Sequence, residues 1–176
     1  MIDGKSYEAK ETLRNGQPIR VRAIRPEDKT LLLEVLDEVG NDSLYLRFFQ
    51  NKTYLTDQEL KFFTEVDFID HVALVATAYA VDKAHIIGGG RYIVCEHAAK
   101  IRSAELAFMV LDRYQGQGMA TLIMKHLLTL ARDNEIAQFE ADVLSENARM
   151  LAVFSHIGLP MSVSRAGNVL HVTLVL

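Results

Sequence analysis

The stretch from Arg102 to Asp133, RSAELAFMVLDRYQGQGMATLIMKHLLTLARD, decides the fold, because it joins an extended segment to a helix through a loop with two glycines. Residues 102–111 alternate in the manner of a strand. Residues 119–133 repeat apolar side chains at the spacing of an amphipathic helix. Because residues 139–144 predict another strand after that helix, the unit is a crossover between parallel strands. We therefore expect an α/β domain.

The loop between that strand and that helix is a candidate phosphate site. Gly116 and Gly118 let successive backbone N–H groups point the same way, and the following helix adds the positive end of its dipole. The same two glycines are also consistent with a tight turn that binds nothing. The loop lacks the third glycine of the Rossmann fingerprint, where Thr121 stands, and the chain contains no Gly-Lys-Ser/Thr tripeptide of a P-loop.

The rest of the chain is divided into elements by the same kinds of pattern. Upstream, the periodicity and the caps predict a strand at 19–25, a helix at 26–39, a shorter helix at 43–49, a helix at 56–65 and two hairpin strands at 71–80 and 85–95. Downstream, they predict a strand at 139–144, a helix at 147–156 and a last hairpin at 161–176. We expect one domain over residues 1–176, with residues 1–12 as a loose tail.

Composition excludes several classes of protein. The net charge of −4, from 19 Lys and Arg against 23 Asp and Glu, argues against a protein that coats nucleic acid. The longest apolar run, Val72–Val81, is too short for a membrane helix, which needs about 20 residues. The charged N-terminus does not resemble a signal peptide, so we expect a cytoplasmic protein. The spacing of His85, Cys95, Glu96 and His97 fits no zinc template, and we expect no metal.

The loop sequence RYQGQG, from Arg113 to Gly118, resembles the Gln/Arg-x-x-Gly-x-Gly/Ala pyrophosphate motif of the GNAT acyltransferases. The element order also resembles the GNAT fold over nearly the whole chain. This resemblance implies a mixed, mostly antiparallel sheet of about seven strands flanked by helices, with a splayed strand pair that holds CoA. It implies acetyl-CoA as cosubstrate, with these contacts: Met109 and Val110 to pantetheine, Gln115, Gly116, Gln117, Gly118, Met119 and Ala120 around the pyrophosphate, and Asn147, which also suits a helix N-cap.

Three further segments resemble the acetyltransferase domain of the bacterial Pat-type protein lysine acetyltransferases. They are SLYLRFF at 43–49, VDFIDHVALVA at 66–76 and AELAF at 104–108. Pat-type proteins commonly fuse this domain to a cyclic-nucleotide-binding domain or to an acyl-CoA-synthetase-like region, and we expect neither within these 176 residues. The resemblance implies a catalytic glutamate on the strand at 102–111.

Glu105 is that candidate. Strand alternation places it on one face with Met109 and Leu111. We expect partial burial there to raise the pKa of its carboxyl toward neutrality, which would suit a general base acting on a lysine ammonium. The alternative interpretation is a strand glutamate that only reaches solvent. His71 matches the Pat pattern too, but we interpret it as a hydrogen-bonded structural histidine.

The expected reaction is direct transfer of acetyl to an amine in a ternary complex, with a protein lysine as acceptor. A small-molecule amine is the alternative acceptor. Many GNAT proteins have a tyrosine as general acid where this chain has Phe154, so the thiolate would leave unassisted or take a proton from Ser145, Tyr114 or water. A non-catalytic acyl-CoA-binding module is therefore a third hypothesis. An exposed last strand could also pair two copies into a homodimer.

Overall fold

The computed structural model describes residues 2–39, 54–80, 83–95 and 101–176. The helix expected at 43–49 and the residues Glu96 and His97 lie outside the described residues. The strands are β1 (Glu8–Thr12), β2 (Pro18–Ala23), β3 (His71–Ala80), β4 (Lys83–Cys95), β5 (Ser103–Val110), β6 (Gln138–Leu144), β7 (Met161–Ala166) and β8 (Val169–Val175). The α-helices are α1 (Lys29–Glu38), α2 (Asp57–Thr64), α3 (Met119–Asp133) and α4 (Ala148–His156).

In the described ranges, eight strands form one sheet in the order β1-β2-β3-β4-β5-β6-β8-β7. The pairing of β5 with β6 is parallel, and α3 makes the crossover between them, whereas the other neighbouring pairs are antiparallel. This confirms the mixed, mostly antiparallel sheet flanked by helices. The described sheet agrees with the prediction of about seven strands and has one additional strand.

The additional strand is β1, which corrects the expectation of a loose tail over residues 1–12. Residues 8–12, EAKET, pair antiparallel with β2, and a short 3₁₀ turn at Gly4–Ser6 precedes them. The segment has no alternating apolar pattern because it forms the edge of the sheet, where its side chains are exposed or half-buried. A strand of this kind is held by its backbone hydrogen bonds, which leave no mark in the sequence.

Consecutive glycines in β4 let a helix approach the sheet closely. A Cβ at Gly88 would lie 2.5 Å from Sδ of Met119, and one at Gly90 would lie 2.8 Å from Cγ2 of Ile123, so both positions face α3. The register of β3 and β4 also shifts between Ala76 and Thr77, opposite these glycines. The glycines at 88–90 thus permit a bulge and a close backbone approach.

On the other face of the sheet, α1 begins at a buried ion pair. Asp28 is 4% exposed, and its carboxylate accepts hydrogen bonds from both terminal nitrogens of Arg22, at 2.7 and 2.8 Å, and from the backbone N–H of Arg25. The predicted helix at 26–39 accordingly starts as a 3₁₀ turn at Pro26–Asp28 before α1. The next helix has the predicted capping box between Thr56 and Glu59.

Among the helices that the structure describes, none is long and apolar enough to cross a membrane.

Candidate functional site

The central strands β5 and β6 diverge. Their parallel ladder joins residues 103–105 to residues 138–140 and then stops. Beyond that point β5 stays paired with β4 as far as Val110, and β6 stays paired with β8 as far as Leu144. The sheet therefore opens into a wedge between two halves, which we call the β5–β6 wedge. The predicted splayed pair is confirmed in its geometry.

Backbone groups of β5 face this wedge at alternate residues. The N–H of Leu111 donates to the carbonyl of Ile87 in β4, at 3.1 Å, so alternation directs the backbone of Met109 to β4 as well. The backbone groups of Phe108 and Val110 then face the wedge. In agreement, the carbonyl of Val110 accepts a hydrogen bond from the side chain of Gln115 and not from β4. The backbone of Val110 thus lies on the wedge side and that of Met109 on the β4 side, and the contacts of both with pantetheine stay predictions.

The glycine loop ends at the N-terminus of α3. Gly116 and Gly118 have φ values of 75° and 86°, and Gly118 caps the helix without a side-chain hydrogen bond. A Cβ built on Gly116 would meet nothing within 4 Å. The first N–H groups of a helix have no intrahelical partner, so this open backbone can bind an anion. The loop thus fits the pyrophosphate of CoA, with Met119 buried beneath it and Ala120 half-buried.

The glutamine side chains of the loop have structural partners. Nε2 of Gln115 donates to the carbonyl of Val110 and to Oδ1 of Asp112, while its Oε1 accepts a hydrogen bond from Arg149 of α4. Nε2 of Gln117 donates to the carbonyl of Arg113, which closes the loop on itself. These two side chains shape the loop, and the surface that it offers to a phosphate is backbone.

Arg113, the first residue of the motif, turns away from the loop. Its guanidinium pairs with Oε2 of Glu38 at the end of α1, at 2.8 Å, and lies over the ring of Tyr114. This contact joins the loop to α1 across 75 residues of sequence, so periodicity and spacing could not have found it.

Glu105 lies where β5 and β6 part. It is the last β5 residue paired with β6, opposite Glu140, and its other neighbour is Ile93 of β4. The side chain is exposed. The expectation of partial burial was therefore wrong, because alternation fixes the face of a residue but not what covers that face.

The sheet face around Glu105 is acidic. Glu140 and Asp142 of β6 share this face, and His171 of β8 lies between them, with Nδ1 2.8 Å from Asp142 and Nε2 3.7 Å from Glu140. Burial and then the carboxylates of Glu105 and Glu140 raise the pKa of the Cys95 thiol. Since the thiolate is the nucleophile of cysteine chemistry, this setting disfavours an acyl-cysteine step.

An apolar pocket lies on the same face, one step along β5 from Glu105 and beside the wedge. Its described lining comes from α1, α2, β3, β4 and β5 and includes Leu32, Leu36, Phe63, Gly89, Arg91, Ala107 and Met109. Glu105 is not part of the pocket lining, and Arg91 is a charged residue within that lining.

The contact with Arg91 accounts for the neutral, structural state of His71. Nη1 of Arg91 lies 3.1 Å from Nε2 of His71, which acts as the acceptor, and the guanidinium lies 4.4 Å from the ring centre of Phe63. Burial and the charge of Arg91 lower the pKa of His71 to about 4. The histidine is neutral and structural, as predicted.

Near the wedge lie Asn147, expected as the N-cap of the last helix, and Phe154, which stands where many GNAT proteins have a tyrosine. Oδ1 of Asn147 accepts a hydrogen bond from the N–H of Met150, which confirms the N-cap; its contact with the cofactor stays a prediction. Phe154 is 1% exposed, and its ring centre lies 6.4 Å from that of Phe108, so an aromatic side chain without a hydroxyl packs beneath the wedge.

In the described part of the chain, no three His, Cys, Asp or Glu side chains come together in a group that could hold a metal ion.

A splayed parallel strand pair, a glycine loop and a helix N-terminus in this order define an acyl-CoA-dependent transferase of the GNAT type. The sequence model of the Acetyltransferase (GNAT) domain matches residues 19–160, and the chain belongs to this family. It is thus an acetyltransferase domain.

Known proteins similar to this chain include Pat-type acetyltransferases. Acetyltransferase Pat of Mycolicibacterium smegmatis is 32% identical over 146 residues, which are 83% of this chain and 42% of Pat. The chain therefore spans less than half the length of that relative. The crystal structure of the GNAT domain of S. lividans PAT is 32% identical, has a TM-score of 0.85 and covers 96% of this chain and 97% of its own.

A more distant structure shares the fold. The Salmonella typhimurium protein YncA, solved with its cofactor acetyl-CoA, has a TM-score of 0.70 at 16% identity, covering 90% of this chain and 94% of YncA.

Proposed function

We propose that this chain transfers the acetyl group of acetyl-CoA to the side-chain amine of a lysine on a protein. The proposal is carried by the Pat-type relatives, which match 83% of the chain in sequence and 96% in structure. It adds to the family assignment the acceptor and the roles of individual residues.

In this proposal the glycine loop and the β5–β6 wedge bind different parts of acetyl-CoA. The backbone of residues 115–120 binds the pyrophosphate at the N-terminus of α3. The backbone of Phe108 and Val110 hydrogen-bonds the pantetheine arm in the β5–β6 wedge, which aligns the thioester along β5. Asn147 closes the far side of the wedge at the start of α4.

Glu105 acts as the general base. A lysine amine has an ordinary pKa near 10.4, so it arrives protonated and must lose a proton before it can attack a carbonyl carbon. The carboxylate of Glu105 accepts this proton, directly or through a water molecule, and the amine then attacks the carbonyl carbon of the thioester. The new C–N bond forms as the C–S bond breaks, CoA leaves as the thiolate, and the second proton of the nitrogen goes to that thiolate directly or through water. Because Glu105 is exposed at the mouth of the wedge, a lysine on the surface of another protein can reach it.

The surroundings of Glu105 suit both the charged amine and the aliphatic stem of a lysine side chain. Glu140 and Asp142 lie on the same face and favour an approaching cation by long-range attraction. The neighbouring pocket is mostly apolar and suits the aliphatic stem of the side chain.

Glu105→Gln tests the role of Glu105, because it keeps the shape of the side chain and removes its basicity. We expect turnover to fall about 10²- to 10⁴-fold while the affinity for acetyl-CoA persists. Acetylated lysines are detected by mass spectrometry in a panel of purified proteins and peptides, and acetyl-CoA binding is measured by calorimetry. Glu27→Gln, an exposed glutamate in the turn before α1, is the matched control.

Each outcome separates the hypotheses. Full activity of Glu105→Gln would contradict the general-base role. Transfer to small amines alone would contradict the protein lysine as acceptor. Normal binding of acetyl-CoA by the wild type, with no turnover on any amine, would favour a binding module.

A further inference from the structure

A rigid turn from the N-terminal hairpin rests against the glycine loop. Leu13, 2% exposed, anchors this turn in the core. Its N–H donates to the carbonyl of Gln17 and its carbonyl accepts from the N–H of Gly16, both at 2.9 Å. The position of the next residue, Arg14, is thereby fixed by the fold.

Arg14 contacts the loop with both its backbone and its side chain. Its N–H donates to the carbonyl of Gln117 at 3.2 Å. Its side chain lies alongside Gly118, because a Cβ on that glycine would be 3.2 Å from Nε and 3.7 Å from Cδ of the arginine. The guanidinium group therefore stands next to the N-terminus of α3.

The charge of Arg14 has no hydrogen-bond or ion-pair partner among the described residues. Two other arginines near the loop have partners, since Arg113 pairs with Glu38 and Arg149 donates to Gln115. The guanidinium of Arg14, which is exposed, makes no hydrogen bond or ion pair with any residue in the described ranges. A cation beside the positive end of a helix dipole is unfavourable unless an anion joins the two.

We propose that Arg14 is a phosphate-binding residue of the acetyl-CoA site. The inference rests on the proposed binding of CoA at residues 115–120. The planar fork of a guanidinium matches two phosphate oxygens, and the loop backbone beside it has no charged side chain of its own aimed at the phosphates. Residue 14 precedes the segment that the family model matches, which starts at residue 19, so the family pattern does not assign it.

CoA carries phosphate in two places, the pyrophosphate and the 3′-phosphate on the ribose, and the experiment distinguishes them. Binding of CoA, dephospho-CoA and 4′-phosphopantetheine is measured by calorimetry for the wild type, Arg14→Gln and Arg14→Lys. Arg165→Gln is the matched control, because Arg165 is also exposed but lies on β7 at the opposite edge of the sheet. Thermal unfolding of each free variant verifies that it is folded.

We expect Arg14→Gln to weaken CoA binding about 10- to 100-fold, the range for one charge-assisted contact, and to flatten its dependence on salt. Arg14→Lys should restore part of the affinity. If the contact is to the 3′-phosphate, the affinity for dephospho-CoA is unchanged; if it is to the pyrophosphate, both affinities fall by the same factor.

Equal CoA affinity and equal salt dependence in Arg14→Gln and the wild type would overturn the inference while leaving the proposed function intact. Failure of the wild type to bind CoA would instead overturn the proposed function and, with it, the role of Arg14. A folded control variant with the same loss as Arg14→Gln would show a general charge effect and also contradict a specific contact.

Discussion

At the scale of single residues, Gly116 tests whether the loop binds phosphate through its backbone. Its φ of 75° is the left-handed region, and a side chain there would point into open space. Gly116→Val should weaken CoA binding at least about tenfold, because a β-branched residue both resists this backbone conformation and obstructs the phosphates. Calorimetry with CoA measures the loss.

Gly167 provides the matched control. It turns the β7–β8 hairpin with a φ of 65° and equally open surroundings, far from the loop. Gly167→Val should lower the free energy of unfolding by about 1–2 kcal/mol, because a β-branched residue resists the left-handed backbone there as it does at Gly116. It should leave the affinity for CoA unchanged. Equal losses of affinity in the two variants would show that strain, and not the loop, decides binding.

The face of Glu105 was predictable, but its exposure was not. Strand alternation needs only neighbours in sequence, so residues 102–111 fix which side chains share a face. Whether a helix covers that part of the face depends on where α1 and α2 dock, through contacts such as Arg22 with Asp28 that are formed within the folded domain. The same reason hid Arg14, which meets Gln117 from more than a hundred residues away.

At the scale of elements, the start of α1 depends on the buried pair of Arg22 and Asp28. Asp28→Ala should lower the free energy of unfolding by about 3–5 kcal/mol, because it leaves the buried guanidinium of Arg22 without its counter-ion and the N–H of Arg25 without its acceptor. Urea unfolding at neutral pH measures the change.

An exposed pair on the same face is the control for this prediction. Nζ of Lys29 lies 2.7 Å from Oε1 of Glu65, as short as the buried contact, but both side chains are more than a third exposed. Glu65→Ala should therefore cost much less stability than Asp28→Ala. Similar costs for the two variants would contradict the argument that burial makes the first pair important.

The elements with local signals were predicted nearly to the residue. Capping at Thr56, the left-handed Gly118 and the β-branched run of β3 each act within a few residues, and the observed bounds of α2, α3 and β3 follow them. β1 has no such signal. It exists because β2 offers it an edge to pair with, and edge pairing is decided by the whole sheet.

At the scale of the whole molecule, the β5–β6 wedge results from strand order. β5 is held by β4 and β6 by β8, and these two antiparallel ladders continue after the parallel ladder has ended. The opening is thus a property of two half-sheets and of no single segment. The sequence predicted it only through the resemblance to a family in which it occurs.

The stability of the folded domain should depend on pH through His71. This histidine is 9% exposed, and burial together with the neighbouring Arg91 guanidinium lowers its pKa from the ordinary 6.5 to about 4. Above pH 6.5 it is neutral in both the folded and the unfolded chain. Below pH 6.5, His71 is protonated in the unfolded chain but stays neutral in the folded chain until the pH approaches 4. The stability associated with His71 is therefore present above about pH 6.5 and lost as the pH falls toward 4, by up to about 3 kcal/mol.

His71→Gln isolates this contribution, because an amide oxygen can still accept from Arg91 but does not titrate. We expect the wild type to be more stable than the variant near pH 7, since the variant loses the packing of the imidazole against Phe62. The difference should shrink or reverse near pH 4.5, because only the wild type carries the cost of keeping a histidine neutral. Urea unfolding of both proteins across this range measures it, and a difference that stays constant with pH would show that His71 titrates normally in the folded chain.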